Sequence, residues 1–373
     1  MFRRTTLALL FCIAFAPLEV AIGQAAASTV APVRETLRAT CERFAEEHGV
    51  VGLGFAVIDD GRILCDEAVG FAERESARPA KTTTLYRLGS ISKPVCATIA
   101  MQLVGEHVLA LDRGIGGSVP DLPETLRPLT LAQLLSHTSG VRHYAPGKDD
   151  NGTQHRSTRE ALALFVDDPL LFAPGTKYSY STHAYTLVAA AIESATKRDY
   201  VATLRERMHA VAPTLDCEVL GEMKPERSSL YDKLASGEVV LRTEREDNSW
   251  KYGGGGLEST ALDLARFAQA LLDGKLVPGE ARDRMWSPTK LADGSISRYG
   301  LGWSVAEDGK SVSHSGSQQG CHSMLIVVPG EELVIAVLTN TQGCGAPELG
   351  RQLRAVLAKA APTAPAPAKE GVR

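Results

Sequence analysis

The sequence predicts an α/β fold of the α+β type: one antiparallel sheet, flanked by N- and C-terminal helices, with an all-helical domain inserted. Three observations carry this prediction. Strand-like segments flanking tight turns occur near the two ends of the chain, helical periodicity dominates the stretch between them, and each strand-rich end carries its own terminal helix. A chain patterned in this way is most economically one sheet assembled from both ends and covered by helices. Residues 32–90 and 250–360 would form the sheet domain, 91–249 the helical domain, and 361–373 a disordered Pro/Ala tail.

Taken in order, Arg3 and Arg4 precede the apolar stretch Leu7 to Phe15, and small residues follow around Ala21 and Ala25-Ala26-Ala27. This is the pattern of a signal peptide over residues 1–27, so the mature chain is expected to be exported, periplasmic or secreted. Pro17 and Glu19 interrupt a run already short of a membrane span, and stable membrane insertion is not expected. Pro32 to Glu47 has helical periodicity. Gly52 to Asp59 and Arg62 to Gly70 read as strands around the hairpin signal Asp60-Gly61. Ile91 to Val108, Thr130 to Ser136, Thr158 to Val166, His183 to Ala195 and Tyr200 to Ala210 then read as helices.

The pattern changes back after Gly253-Gly254-Gly255-Gly256. A capped helix runs from Thr260 to Leu272, with Gly274 beyond it, and a short one from Glu280 to Trp286. Gly300 to Glu307 and Lys310 to His314 flank Asp308-Gly309, Ser323 to Val328 pairs with Leu333 to Leu338 across Pro329-Gly330, and a last helix spans Ala346 to Ala360.

Composition excludes several classes of function. The 373 residues are 44% hydrophobic and 23% charged with a formal net charge of −4, and no basic run is long enough for a nucleic-acid-binding arm. No His-Glu-x-x-His occurs among the nine histidines, so neither a catalytic metal nor another cofactor is expected. The four glycines are not followed by the Lys-Ser/Thr of a phosphate-binding loop. No nucleic-acid partner is expected, which leaves a small-molecule or peptide substrate open; oligomeric state is not legible. Six cysteines follow the leader and permit fifteen pairings. Cys321 precedes one strand of the final hairpin and Cys344 follows the other, which leaves a disulfide between them open.

Chemistry concentrates in three short motifs: Ser90-Ile91-Ser92-Lys93, Tyr180-Ser181-Thr182 and His314-Ser315-Gly316. Together they offer a hydroxyl nucleophile, an amine near enough to take its proton, a second proton-transfer group and a strand edge for a carbonyl. Ser-x-x-Lys also occurs at Ser194 and Ser287, but Lys197 there is a C-terminal helix cation and Ser287-Pro288 a turn. Only Ser90 sits where an approach strand and Gly89 lead into a buried helix. Lys93 follows one turn later on the same face.

These motifs resemble those of the serine beta-lactamase and penicillin-binding-protein superfamily, in the branch holding class C beta-lactamases, D-alanyl-D-alanine carboxypeptidases, related esterases and the mitochondrial beta-lactamase-like serine protease. The likeness runs from about Thr36 to Leu357. It includes Leu134 to Tyr144, Pro174-Gly175, Gly255 to Thr260 and Tyr299-Gly300-Leu301-Gly302-Trp303. The resemblance implies a beta-lactamase/transpeptidase-like fold and an acyl-enzyme on Ser90. Lys93 would then deprotonate Ser90, and Tyr180 would shuttle the proton to the leaving group. The backbone N–H groups of Ser90 and Ser317 would form the oxyanion hole, while Thr182, His314, Ser315 and Gly316 would bind substrate. Lys93 and Tyr180 would both need lowered pKa values, and Gly316 would lie where the substrate backbone runs along the strand.

Two departures from the family pattern bear on substrate. Thr182 stands in place of an Asn, and His314 in place of the lysine that opens the Lys-Thr-Gly strand. Both favour a peptide amide or an ester over a beta-lactam; the alternatives are a beta-lactamase or D-alanyl-D-alanine carboxypeptidase proper, or a penicillin-binding or sensing protein that does not turn over. His314 would carry charge only below its own pKa, roughly 6 to 7, and so make carboxylate recognition pH-dependent. His137, Arg142, His143 and Tyr144 either touch substrate or anchor the loop that carries them.

Overall fold

The computed structural model describes residues 18–144, 149 and 157–360, so residues 1–17 of the expected leader and the expected tail 361–373 lie outside the described residues. Seven strands form the main sheet: β1 (Gly52–Asp59), β2 (Arg62–Glu73), β3 (Arg78–Pro79), β4 (Ser304–Val305), β5 (Val312–Gln318), β6 (Cys321–Val328) and β7 (Leu333–Thr339). Their spatial order is β4-β5-β6-β7-β1-β2-β3, antiparallel throughout. The joint between the two ends of the chain is the β1–β7 pair, with Leu53 opposite Thr339 and Asp59 opposite Leu333. Both strands are buried along almost their whole length, so the seam is also the centre of the core.

Period-two alternation divides each strand between two cores. On one face Leu53, Phe55, Val57, Met324, Ile326, Val328, Ile335 and Val337 pack beneath the helices Leu18–His48 and Ala346–Ala360 through Leu37, Phe44, Leu349 and Leu353. On the other, Ala56, Ile58, Leu325, Val327, Val334 and Ala336 join the larger core built on the helices Ser92–Gly105, Thr182–Thr196 and Ala261–Leu272. This alternation also settles the open cysteine question. Cys321 shares the odd-numbered face of β6 with Leu325 and Val327, whereas Cys344 is buried with Met324 and Ile326 under the terminal helices. The two stay free thiols.

Elements with strong local signals fall where the sequence puts them. Asp60 and Gly61 both take positive φ, 49° and 69°, as the tight turn between β1 and β2 requires. Thr130 closes a capping box with Gln133 at the start of Leu131–Leu135, and Thr260 caps Ala261–Leu272 through the Asp263 N–H. The expected helix Ile91 to Val108 divides into a 3₁₀ turn, Gly89–Ile91, and the helix Ser92–Gly105. Gly300 to Glu307 shrinks to the two residues of β4, because Gly300 and Gly302 bend the chain against Met285 and Ala97.

The segment 91–249 is less purely helical than its periodicity suggests. Asp216–Cys217 pairs with Leu257–Ser259, which also pairs with Tyr86–Arg87, and Leu230–Lys233 pairs with Val239–Arg242. These strands are two to four residues long. Alternation over so few residues gives no periodic signal.

Candidate active site

Ser90 lies in the 3₁₀ turn that enters the helix Ser92–Gly105. Gly89 has φ +53°, and a Cβ built on it would stand 3.0 Å from the backbone nitrogen of Ser317 and 3.2 Å from Cα of Gly316. A side chain there would be strained by the left-handed backbone and crowded against β5. This contact seats the Ser90 turn directly against β5, bringing together motifs more than two hundred residues apart.

Lys93 is fully buried. Its Nζ donates to the Gly254 carbonyl at 2.6 Å and to Thr182 Oγ1 at 3.2 Å, and lies 3.3 Å from Ser90 Oγ. The glycine run makes this possible. A Cβ on Gly254 would come within 2.7 Å of Thr182 Cγ2, and one on Gly253 within 3.0 Å of Cys96 Sγ, so the Tyr252–Gly255 turn approaches only without side chains. Burial drives the Lys93 pKa well below the ordinary lysine value, and the cation of Lys251 pushes it further down. Lys251 is a site residue that sequence reading missed. Its Nζ sits 4.9 Å from the Trp250 ring centroid and 5.6 Å from that of Tyr144.

Tyr180 completes the corner. Its ring centroid is 4.6 Å from Lys93 Nζ. Burial raises its phenol pKa, and a hydrogen bond with Ser90 offsets only part of that rise. The lowered value expected from sequence is therefore corrected: desolvation outweighs the hydrogen bond, and Tyr180 is a phenol at neutral pH. Thr182 follows at the first position of the helix Thr182–Thr196, its hydroxyl turned to Lys93.

Along β5 the side chains alternate, and the alternation corrects two expectations. Ser315 and Ser317 are exposed, whereas His314 and Gly316 point inward. A Cβ on Gly316 would meet the Leu88 carbonyl oxygen at 1.9 Å, so its missing side chain admits the protein's own backbone. His314 is buried, with Nδ1 2.6 Å from the Ser315 carbonyl and Nε2 2.9 Å from the Tyr299 hydroxyl. The carbonyl can only accept, so Nδ1 carries the proton and Tyr299 donates to Nε2. Burial, aided by Lys93, lowers the His314 pKa to about 3. The charge change expected near pH 6 to 7 does not occur.

Arg142 is an anchor. It donates to Asp149 through both terminal nitrogens at 2.8 Å, to the Leu164 carbonyl at 2.8 Å, and to Asp168. Tyr144 packs edge-on against Trp250, with ring centroids 5.4 Å apart. Ser194 falls inside the helix Thr182–Thr196 and Ser287 hydrogen-bonds the Asp283 carbonyl, so the other two Ser-x-x-Lys copies are structural. Among the described residues no cluster of His, Cys, Asp and Glu suits a metal ion, and no helix is long and apolar enough to cross a membrane.

Comparison with known proteins finds extensive similarity along the chain. The profile of the family described as Beta-lactamase matches residues 37–359. The human serine beta-lactamase-like protein LACTB, mitochondrial, is 27% identical, covering 82% of this chain and 74% of its own. Penicillin-binding protein 4 of Amycolatopsis lactamdurans is 28% identical, covering 79% and 82%. The octameric penicillin-binding protein homologue from Pyrococcus abyssi superposes with a TM-score of 0.75 at 22% identity, over 87% of this chain and 77% of that one.

Proposed function

We propose, from the premise that the chain belongs to the beta-lactamase family and is a serine hydrolase, that it hydrolyses a peptide amide or an ester through an acyl-enzyme on Ser90. The observation that carries this reading is the state of Lys93. Its three polar neighbours are the Gly254 carbonyl, the Thr182 hydroxyl and Ser90 Oγ, and none is a carboxylate. A neutral amine has two N–H bonds and one lone pair. Two donations, to Gly254 and Thr182, leave that lone pair for the Ser90 hydroxyl proton.

In the acylation step Ser90 Oγ attacks the carbonyl carbon while Lys93 takes its proton. The developing oxyanion would be held by the backbone N–H groups of Ser90 and Ser317, on the turn and strand that Gly89 brings together. The Tyr180 phenol gives its proton to the leaving nitrogen or oxygen as the C–N or C–O bond breaks. The Lys93 ammonium then returns a proton to Tyr180, and both groups are restored. Deacylation repeats the sequence with water as nucleophile and Ser90 as leaving group.

Substrate contacts are assigned to the exposed side chains of β5, Ser315 and Ser317. A neutral His314 offers no charge for a substrate carboxylate, which favours neutral amides and esters over beta-lactams. Export belongs to the same proposal and is supported by Arg3, Arg4, the apolar Leu7 to Phe15 and the small residues after them. N-terminal sequencing of the protein recovered from its native host would test it.

The hydrolase reading is tested with an active-site-directed phosphonate probe, followed by a panel of peptides, p-nitrophenyl esters and a chromogenic cephalosporin. The wild-type protein is expected to label on Ser90 and to turn over neutral substrates. Ser90→Ala is expected to do neither. Full hydrolysis by Ser90→Ala would overturn the mechanism, and an acyl adduct that forms without decaying would make the protein a binder instead of an enzyme.

A further inference from the structure

The segment Tyr180-Ser181-Thr182 contributes two side chains to the catalytic corner, yet it precedes or opens its helix, where backbone N–H groups have no partner within the helix. Two of these groups are taken up in an unusual way. The Ser181 N–H donates to Nδ1 of His137 at 3.1 Å, and the Thr182 N–H donates to Nδ1 of His143 at 3.0 Å. Consecutive amides thus end on two imidazoles from one loop. The Ser181 hydroxyl adds a third tie by donating to the Arg142 carbonyl at 2.7 Å, and Arg142 is the residue fixed by its own ion pairs.

We infer that His137 and His143 are positioning residues: a pair of neutral imidazole acceptors that brace the Tyr180-Ser181-Thr182 backbone and so fix the Tyr180 phenol and the Thr182 hydroxyl relative to Ser90 and Lys93. Neither acts on substrate. The inference rests on the acyl-enzyme reading of Ser90.

Their surroundings fit that role. The His137 ring lies 4.3 Å from the Tyr180 ring and 4.7 Å from that of Tyr299, and the His143 ring packs edge-on to Tyr180 at 5.5 Å. Each imidazole therefore holds a backbone amide just after Tyr180 and packs against the Tyr180 ring. His137 reaches this place through a left-handed backbone, φ +61°, and is fully buried with Nε2 among the aromatic rings. An imidazole accepts at Nδ1 only while that nitrogen is unprotonated. Burial keeps both rings neutral, lowering His137 well below its ordinary value and His143 to about 4; His314 faces His137, Lys251 faces His143, and positive charge on either of these or on Lys93 would push in the same direction. For His143, Asp149 is the group that opposes them, and His183 is the remaining titratable neighbour.

The test compares His143→Leu with His143→Asn, using p-nitrophenyl acetate turnover and phosphonate labelling rate at pH 7.5. Asn keeps an oxygen acceptor near the position of Nδ1, whereas Leu leaves the Thr182 N–H unpartnered. Leu is expected to lower kcat by about tenfold or more with KM within about threefold, and Asn to recover most of the loss. His137→Asn, compatible with the left-handed backbone, is expected to resemble His143→Asn. Equal kcat in the Leu and Asn variants would overturn the inference, as would a loss confined to KM. Thermal melts on the same samples identify any variant that fails to fold, and Ser90→Ala separates the two readings. If Ser90→Ala still labels, the acyl-enzyme reading has failed; if it does not label but Leu equals Asn, only the brace has failed.

Discussion

Two buried cations flank Ser90, and the fold treats them in opposite ways. Arg87, on the short strand before it, donates from Nε to Glu218 at 2.6 Å and from a terminal nitrogen to Glu246 at 3.0 Å and to the Gln319 carbonyl at 3.0 Å. Burial works against its charge, but the two carboxylates more than restore it. Glu218 is compensated in turn: burial opposes its charge, and Arg87 with Arg245 holds it below the usual carboxylate range. Lys93, on the helix after Ser90, receives hydroxyls and a carbonyl, and its pKa falls well below the ordinary lysine value. A buried cation given carboxylates becomes structure, and one denied them becomes a base.

The largest test of this contrast is to replace each cation by methionine, which keeps most of the apolar stem. Lys93→Met is expected to lower kcat/KM roughly a thousandfold, within the range for loss of a general base, while raising the melting temperature or leaving it unchanged. The stability sign follows from linkage. The Lys93 pKa is depressed on folding, so its contribution is complete only above the ordinary value of 10.5 and is already partly lost at neutral pH. Removing the amine removes that cost. A clear drop in melting temperature would mean that the hydrogen bonds to Gly254 and Thr182 are worth more than the desolvation they offset.

Arg87→Met is expected to act in the reverse direction. It strands Glu218, whose side chain is 4% exposed, and should lower unfolding free energy by about 3–5 kcal/mol. Activity per folded molecule should fall far less than in Lys93→Met. Urea unfolding curves combined with active-site titration separate the two quantities. A stability loss below about 1 kcal/mol would show that Glu218 is satisfied by Arg245 and by Asn248, which donates to it at 2.9 Å.

The contrast also explains what was legible in the sequence. Local features were: the Asp60-Gly61 turn, the capped helix from Thr260, and the spacing that puts Lys93 one turn past Ser90 each depend on residues within a few positions of one another. The two-ended sheet was legible because its central strands run for seven or eight residues beside strong turn signals. Lys251 was not, since its position in the site depends on how the Ser249–Lys251 turn packs beside distant helices. The state of ionisable groups was illegible for the same reason. Tyr180 and His314 were assigned by their motif neighbours, but desolvation, which depends on the whole fold, sets their pKa values. Gly316 shows the limit of motif reading, because its missing side chain accommodates Leu88 and not a ligand.

The smallest expected effect concerns His314, and its smallness is the point. With Nδ1–H given to Ser315 and Nε2 receiving the Tyr299 hydroxyl, a second proton on the ring would require that hydroxyl to turn from donor to acceptor. Its pKa of about 3 against an ordinary 6.5 leaves it neutral throughout the range in which the enzyme would work. The same depression makes its contribution to stability complete above about pH 6.5 and lost as pH falls through about 3. A pair of matched esters, one bearing a carboxylate near the scissile bond and one neutral, should therefore give a constant ratio of kcat/KM between pH 6 and 8, apart from ionisation of the substrate itself. Tyr299→Phe removes the hydroxyl at Nε2 but leaves the burial that depresses the His314 pKa. In that variant the ratio should stay constant as well. A ratio that already changes by more than about twofold in the wild-type protein would mean that His314 titrates near neutrality and keeps the charge-binding role of the lysine it replaces.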